Sequence, residues 1–344
     1  MTYLIDAWLD RPQPYLRILN RNTGEVCALL KEDALDELRD QGDLDMRPLT
    51  ELGARYQSYA VTDLEQRIKR MQDFEVVVTN KVLIDAQVMD ACQQLKLILL
   101  SATGTNNVDL AAARERGIAV SNCQGYGTPA VAQHTLMLML VLITRFESYR
   151  QAVRDGAWQR SSQFCLLDYP IGELSGRTLG ILGYGELGQA VGRLAEAFGM
   201  RLVVGALPGR EKEGRPGLDQ LLEQVDVLSL HCPLTEQTRD LISAPELARM
   251  RPGSLLINAG RGGLVNEQAL ADSLRAGHLG GAACDVLTSE PPRDGNPLLA
   301  ADIPNLLITP HSAWGSREAR QRIVGQLAEN LRAFAQGDEL RRVN

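Results

Sequence analysis

Short apolar runs alternate with polar, helix-like stretches along most of this chain. "VCALL", "FEVVVTN", "LKLILLSA" and "GIAVSN" read as strands. The stretches "DLEQRIKRM", "DAQVMDAC" and "DLAAARERG" between them carry helical spacing. Asp63, Asp85 and Asp109 stand where a helix start wants an acceptor, and Gly117 where a helix would stop. Strictly alternating strand and helix implies a parallel sheet with crossover helices. Pro129 to Arg150 predicts one long helix, a candidate connector. A second alternating series follows, with strands "TLGILG", "RLVVGA", "DVLSLH", "SLLINAG", "GAACDV" and "NLLITPH". Its predicted helices run from Glu186 to Phe198, Ala244 to Met250 and Glu267 to Ala276. A last helix, Ser316 to Gln336, is expected to pack back on the first domain. Near the N-terminus, "YLRILNRNTGEVCALL" predicts two short strands around the turn "NRNTG".

The segment "LGILGYGELGQAVGRL" places Gly183, Gly185 and Gly188 between a strand and a helix. In that context the pattern reads as a dinucleotide turn: one glycine for the bend, one for close approach of a pyrophosphate, one for helix–strand packing. Glu186 and Leu187 open the helix whose free N–H groups would face the phosphates. The acidic residue that usually grips the ribose is missing from "RLVVGALPGR". Ala206 stands near its place, and Arg210 just beyond is either a partner for a 2′-phosphate or a solvated loop arginine. The cofactor is therefore NAD or NADP, with NADP or dual use favoured. His231, Pro233, Ala259 and Asp285, at later strand ends, complete the candidate cofactor-binding set.

The expected fold class is α/β, with two doubly wound parallel-sheet domains. A Rossmann dinucleotide-binding domain (123–314) is inserted in a flavodoxin-like domain (25–122 and 315–344), behind an N-terminal extension (1–24). The totals fit. The chain has 344 residues, room for two domains, and 44% of them are apolar. A net charge of −7 argues against nucleic-acid binding. Six cysteines are scattered singly with no CxxC pair, which argues against zinc and for a reducing compartment. The N-terminus lacks a signal-peptide pattern, and the longest apolar run, Leu136 to Ile143, is too short to span a membrane. The reading is a cytoplasmic protein with no metal, nucleic-acid or membrane partner.

Three polar segments follow strand ends, where open parallel sheets bind ligands. "INAGRGGLVNE" supplies Arg261, "ACDVLTSEPP" supplies Asp285 and Glu290, and "LLITPHSAWGS" supplies His311. Hydride transfer to a 2-oxo acid needs a cation for the carboxylate, an acid for the carbonyl oxygen and a carboxylate to orient that acid. Arg261, His311 and Glu290 fill those roles. Singly, each has an ordinary structural explanation; their placement after strands of one sheet favours the functional one. His134, in the apolar connector, reads as a structural hydrogen-bonding histidine. His231 either lines the adenine side or closes its strand, and His278 sits near a helix C-terminus, where a cation is favoured. Neither GxSxG nor HExxH is present.

The chain resembles the D-isomer-specific 2-hydroxyacid dehydrogenases. The resemblance is carried by "SATGTNNVDLAAARERGIAVSN", "LGILGYGELGQAVGRLAEAFGM", "LHCPLTEQTRDLI", "MRPGSLLINAGRGGLVNEQALADSLRAGHLGGAACDVLTSEPP" and "NLLITPHSAW". It implies that Arg261 is the substrate arginine, His311 the acid/base and Glu290 its partner. Asp285 would bind the nicotinamide carboxamide side, and Thr103-Gly104 would meet the substrate carboxylate through backbone N–H groups. "ATGTNNVD" and "PHSAW" look most like the glycerate dehydrogenase (hydroxypyruvate reductase) branch, implying NAD(P)H-dependent reduction of hydroxypyruvate or glyoxylate in a homodimer paired near the connector helix. In that branch the two domains close over a cleft. Two rivals remain open: an NAD(H)-sensing, co-repressor-like interaction protein, and a family dehydrogenase for phosphoglycerate, phosphite, formate or a bulkier 2-oxo acid. Residues 1–24 have no counterpart in the family pattern, and Val26 to Tyr59 match it loosely.

Overall fold

In the first half of the chain, strands β1 (Thr2–Ile5), β2 (Arg55–Ser58), β3 (Val76–Thr79), β4 (Leu97–Leu100) and β5 (Ala119–Ser121) form one sheet. Their order is β2-β1-β3-β4-β5 and every pairing is parallel. This is the doubly wound order in which the chain reverses direction at its first strand. The computed structural model describes residues 2–5, 44–50, 52, 55–59 and 61–344. It divides into two units: Met1–Gly127 with Gly315–Asn344, and Thr128–Trp314.

Val76, Val77 and Val78 in β3 and the whole of β4 are buried. A parallel strand covered on both faces has no polar side to offer, so its sequence is continuously apolar. Asp85 and Asp109 accept N–H bonds from Val88 and Ala112, as expected of helix caps, whereas Asp63 precedes a short 3-10 turn without a side-chain bond. The long helix Arg317–Gln336 belongs to this unit and buries Ile323, Val324, Leu327 and Leu331. Beyond it, Val343 N–H donates to Val120 O and Arg342 bridges Ser121 antiparallel, so the last residues border β5. Thr2–Ile5 is a correction to the extension read at 1–24: it lies inside the sheet between β2 and β1's other neighbour, β3. The polar edge strand β2, "RYQS", carries no apolar alternation and so escaped the pattern. "VCALL" and the turn "NRNTG" lie outside the described residues.

The second unit holds β6 (Thr178–Leu182), β7 (Arg201–Gly205), β8 (Val227–Leu230), β9 (Leu255–Asn258), β10 (Gly281–Cys284) and β11 (Leu306–Ile308). They run in the order β11-β10-β9-β8-β6-β7, all parallel. Alternate residues feed two cores. Leu228, Leu230, Leu256 and Ala282 pack with Leu221, Leu247, Leu270 and Leu274 on one face. Val227, Leu255, Ile257 and Ala283 pack with Leu138, Met139, Val191 and Ala195 on the other. The period-two alternation of the strands thus requires helices on both sides.

The single helix predicted from Pro129 to Arg150 is broken. It comprises Thr128–Ile143 and Phe146–Arg154, bent by 61°. Arg145 takes the left-handed conformation, φ 56, and the Thr144 hydroxyl bonds back to Leu140 O. The first helix buries its apolar residues in the core, while the second buries none. The break therefore falls where burial ends. The unit boundary follows Gly127 rather than residue 122. Among the described residues no single helix is long and apolar enough to cross a membrane.

Candidate active site

The sheet of the second unit reverses direction at β6, with β7 on one side and β8 on the other. At its C-terminal end the chain turns through Gly183, φ 93, where a Cβ would lie 2.5 Å from Cys232 N. Only glycine takes that conformation and that approach without strain. A Cβ on Gly188 would collide with the Gly183 carbonyl oxygen, so the helix Glu186–Ala197 can press onto the turn only with glycine there. Gly185 is different: no atom lies within 4 Å of where its Cβ would stand. The open space fronts a helix start whose first N–H groups lack intrahelical partners, which fits a pyrophosphate. Glu186 is tied to Thr128 by a 2.7 Å bond, and Leu187 packs with Val131, Ala259 and Ala313. Gly188→Ala is expected to lower the melting temperature and to weaken NAD(P)H binding at least about tenfold, from overpacking of roughly 1–3 kcal/mol. A fluorescence titration and a thermal melt would measure both, and unchanged values would show that this contact does not set the helix entry.

Beyond β7, Ala206 is buried and its N–H donates to Pro216 O. Arg210 is exposed on the intervening loop. Arg215, which the sequence reading passed over, holds its guanidinium 5.9 Å from the ring centre of Tyr184, inside the glycine turn. At the end of β8 the His231 N–H donates to Leu182 O and its Nε2 lies 2.9 Å from Ser229 Oγ. Burial pushes the His231 imidazole down to about 4, so it is neutral near pH 7. The Pro233 carbonyl caps the Thr238 hydroxyl.

The ends of β9, β10 and β11, three neighbours in the sheet, supply the other candidates. After β9, Asn258 Nδ2 donates to Arg261 O and fixes the loop, while Arg261 Nη1 donates to Gly260 O. The arginine is exposed and, among the described residues, forms no ion pair. After β10, Asp285 is 1% exposed. Its Oδ1 accepts from the Thr309 hydroxyl at 2.5 Å and the Ser312 N–H at 2.9 Å; its Oδ2 accepts from the Ala313 N–H at 2.9 Å. After β11, His311 Nδ1 lies 2.6 Å from Glu290 Oε2. Glu290 Oε1 accepts from Leu287 N–H, which aims the second oxygen at the imidazole. Gly262 runs so close to the Leu287 carbonyl that a Cβ there would strike it, so the Arg261 loop rests on the Glu290 loop.

Thr103 and Gly104 lie in the first unit, after β4; the Thr103 hydroxyl donates to Cys123 O and Asn122 Nδ2 donates to Thr103 O. Several supporting residues were missed by sequence reasoning. Glu267 accepts from Thr288 N–H and Asn296 Nδ2, pinning the loop that carries Glu290. Its position at the first turn of a helix made it look like an ordinary N-terminal acid. Thr309 was hidden in the strand "NLLITPH". Cys92, Cys123, Cys232 and Cys284 are buried free thiols, pushed up by burial to between about 11 and about 12, and so are inert as nucleophiles near neutrality.

The sequence pattern of the D-isomer specific 2-hydroxyacid dehydrogenases, NAD binding domain, matches residues 136–313. A glycerate dehydrogenase of Methylorubrum extorquens is 44% identical over 79% of this chain and 86% of its own length. A hydroxypyruvate reductase of Blautia hydrogenotrophica is 38% identical over 88% and 96%. A Thermus thermophilus protein of known structure superposes with a TM-score of 0.77 at 35% identity, over 98% of both chains. With a glycine turn shaped for a dinucleotide and, at the end of β11 in the same sheet, a carboxylate-held histidine, the chain belongs to the D-isomer specific 2-hydroxyacid dehydrogenases, NAD(P)-dependent oxidoreductases of small 2-oxo and 2-hydroxy acids.

Proposed function

We propose that the protein reduces hydroxypyruvate or glyoxylate to the D-2-hydroxy acid, in the manner of a glycerate dehydrogenase. The observation that carries this is the 2.6 Å contact of His311 with Glu290, on the strand ends shared with an arginine that forms no ion pair among the described residues. Similarity to a glycerate dehydrogenase and a hydroxypyruvate reductase supports the substrate class.

Reduced nicotinamide supplies the hydride when bound. Arg261 holds the substrate carboxylate by two parallel N–H bonds. Glu290 Oε2 accepts from Nδ1–H of His311, which leaves Nε2 to carry the transferred proton. In reduction, protonated Nε2 gives that proton to the carbonyl oxygen as negative charge gathers there; in oxidation the same atom takes it from the hydroxyl. Glu290 holds the ring in place by that bond. Glu186, Leu187, His231, Pro233, Ala259 and Asp285 are the proposed cofactor bed around the glycine turn and strand ends. The chain is proposed to act as a cytoplasmic homodimer, with support from Phe164 and Leu167, 90% and 75% exposed just beyond the connector helices.

A panel of 2-oxo acids assayed with NADH and NADPH tests the reading. Hydroxypyruvate and glyoxylate should give the highest kcat/KM. Faster turnover of phosphoglycerate, phosphite, formate or a bulkier 2-oxo acid would overturn the substrate assignment, and tight NAD(H) binding without turnover would favour a sensor. Because no carboxylate ends β7, NADPH should be accepted, and Arg210→Ala should weaken NADPH more than NADH. An equal effect would remove Arg210 from cofactor choice.

A further inference from the structure

A threonine hydroxyl has one hydrogen to give. Thr309 Oγ1 lies 2.5 Å from Asp285 Oδ1 and 3.0 Å from His134 Nε2. An ionised carboxylate can only accept, so the Thr309 hydrogen goes to Asp285. His134 Nε2 must then be the donor to the Thr309 oxygen. Burial pushes the His134 imidazole below its ordinary range, against the opposing pull of the Asp285 carboxylate, and the ring is neutral with its hydrogen on Nε2. A directed path follows: His134 Nε2–H to Thr309, Thr309 O–H to Asp285.

Asp285 is the clamp of the next three residues. Its carbonyl accepts the His311 N–H at 2.8 Å, and its carboxylate accepts the N–H groups of Ser312 and Ala313. His311 sits at φ 54, left-handed for a residue with a Cβ. Such a conformation is strained and persists only where the surroundings over-determine it. We propose that His134 is a positioning residue for His311: through Thr309 it fixes the Asp285 carboxylate that holds residues 311–313 and so keeps the His311 imidazole on Glu290. This rests on the reading of His311 as the acid.

The test compares His134→Leu, which removes the donor, His134→Gln, which keeps an N–H, Thr309→Val and the Leu/Val double variant, with His311→Gln as the control. His134→Leu and Thr309→Val should each lower kcat about 10- to 100-fold, with KM for hydroxypyruvate within about twofold. His134→Gln should recover most of kcat, and the double variant should be no slower than the slower single one, because both break one path. Wild-type kcat in Thr309→Val, a Gln variant as slow as the Leu variant, or additive losses would each overturn the proposal. Should the Leu variant fail to fold, the Thr309→Val result decides alone. If His311→Gln turns over normally, the acid assignment itself fails; if it is inactive while Thr309→Val is normal, only the positioning role fails. The chain has four histidines, so nitrogen-15 spectra can resolve each ring. His134 should show a protonated Nε2 at neutral pH, and a protonated Nδ1 would overturn the path.

Discussion

Replacing His311 by glutamine is expected to cut kcat by about 10²- to 10⁴-fold while NAD(P)H affinity stays within about threefold. Glutamine can still donate a hydrogen bond but cannot give up a proton near neutral pH. The carbonyl oxygen would gain charge with no acid to neutralise it, a loss of roughly 3–5 kcal/mol in the barrier. KM should change little, because the substrate carboxylate is assigned to Arg261. Cofactor affinity, read from fluorescence quenching, should hold because the glycine turn is a separate structure at the end of β6. Glu290→Gln should fall between the two enzymes. It leaves the imidazole in place but weakens the 2.6 Å contact with Nδ1 by exchanging a carboxylate for a neutral amide. A kcat for His311→Gln within about tenfold of the parent would mean that another group delivers the proton.

Much of this arrangement was readable in the chain because parallel sheets write their order into the sequence. β3, β4, β8 and β9 are buried on both faces and therefore mostly apolar, and loops at the strand ends of the second unit carry most of the candidate chemistry. The contact between His311 and Glu290 followed from two loops at adjacent strand ends. What escaped the sequence was set by tertiary contacts with no local signature. Arg145 breaks the connector helix with no proline or glycine to mark the place. β2 is a strand because β1 offers it an edge, not because "RYQS" alternates. His134 reads as a structural hydrogen-bonding histidine, but its partner has no signature in the sequence. Its partner Thr309 is 175 residues away, and only the fold reveals that the two share a hydrogen bond. Asp285 was legible as a strand-end acid, but not as the group that binds three successive N–H donors.

Arg261→Ala is expected to lower kcat/KM for hydroxypyruvate by about 10²- to 10⁴-fold, dividing between a higher KM and a lower kcat. The guanidinium bonds only the Gly260 carbonyl among the described residues, which leaves donors for a ligand. Two charge-assisted bonds to a carboxylate are worth roughly 1.5–3 kcal/mol each, and their loss gives the stated range. The same bonds fix the carbonyl carbon against the hydride path, so misplacement lowers kcat while weaker binding raises KM. Lysine should rescue poorly, since a point charge cannot reproduce the planar fork. The fold should be untouched: the side chain is exposed, and the loop is held by Asn258 through the backbone oxygen of residue 261, which alanine keeps. Melting temperature and NADPH affinity therefore serve as controls. Two results would separate the alternatives. A loss confined to KM would make Arg261 a docking charge with no part in aligning the carbonyl. Parent-like kcat/KM would place the substrate carboxylate elsewhere, and with it the direction from which the His311 proton must arrive.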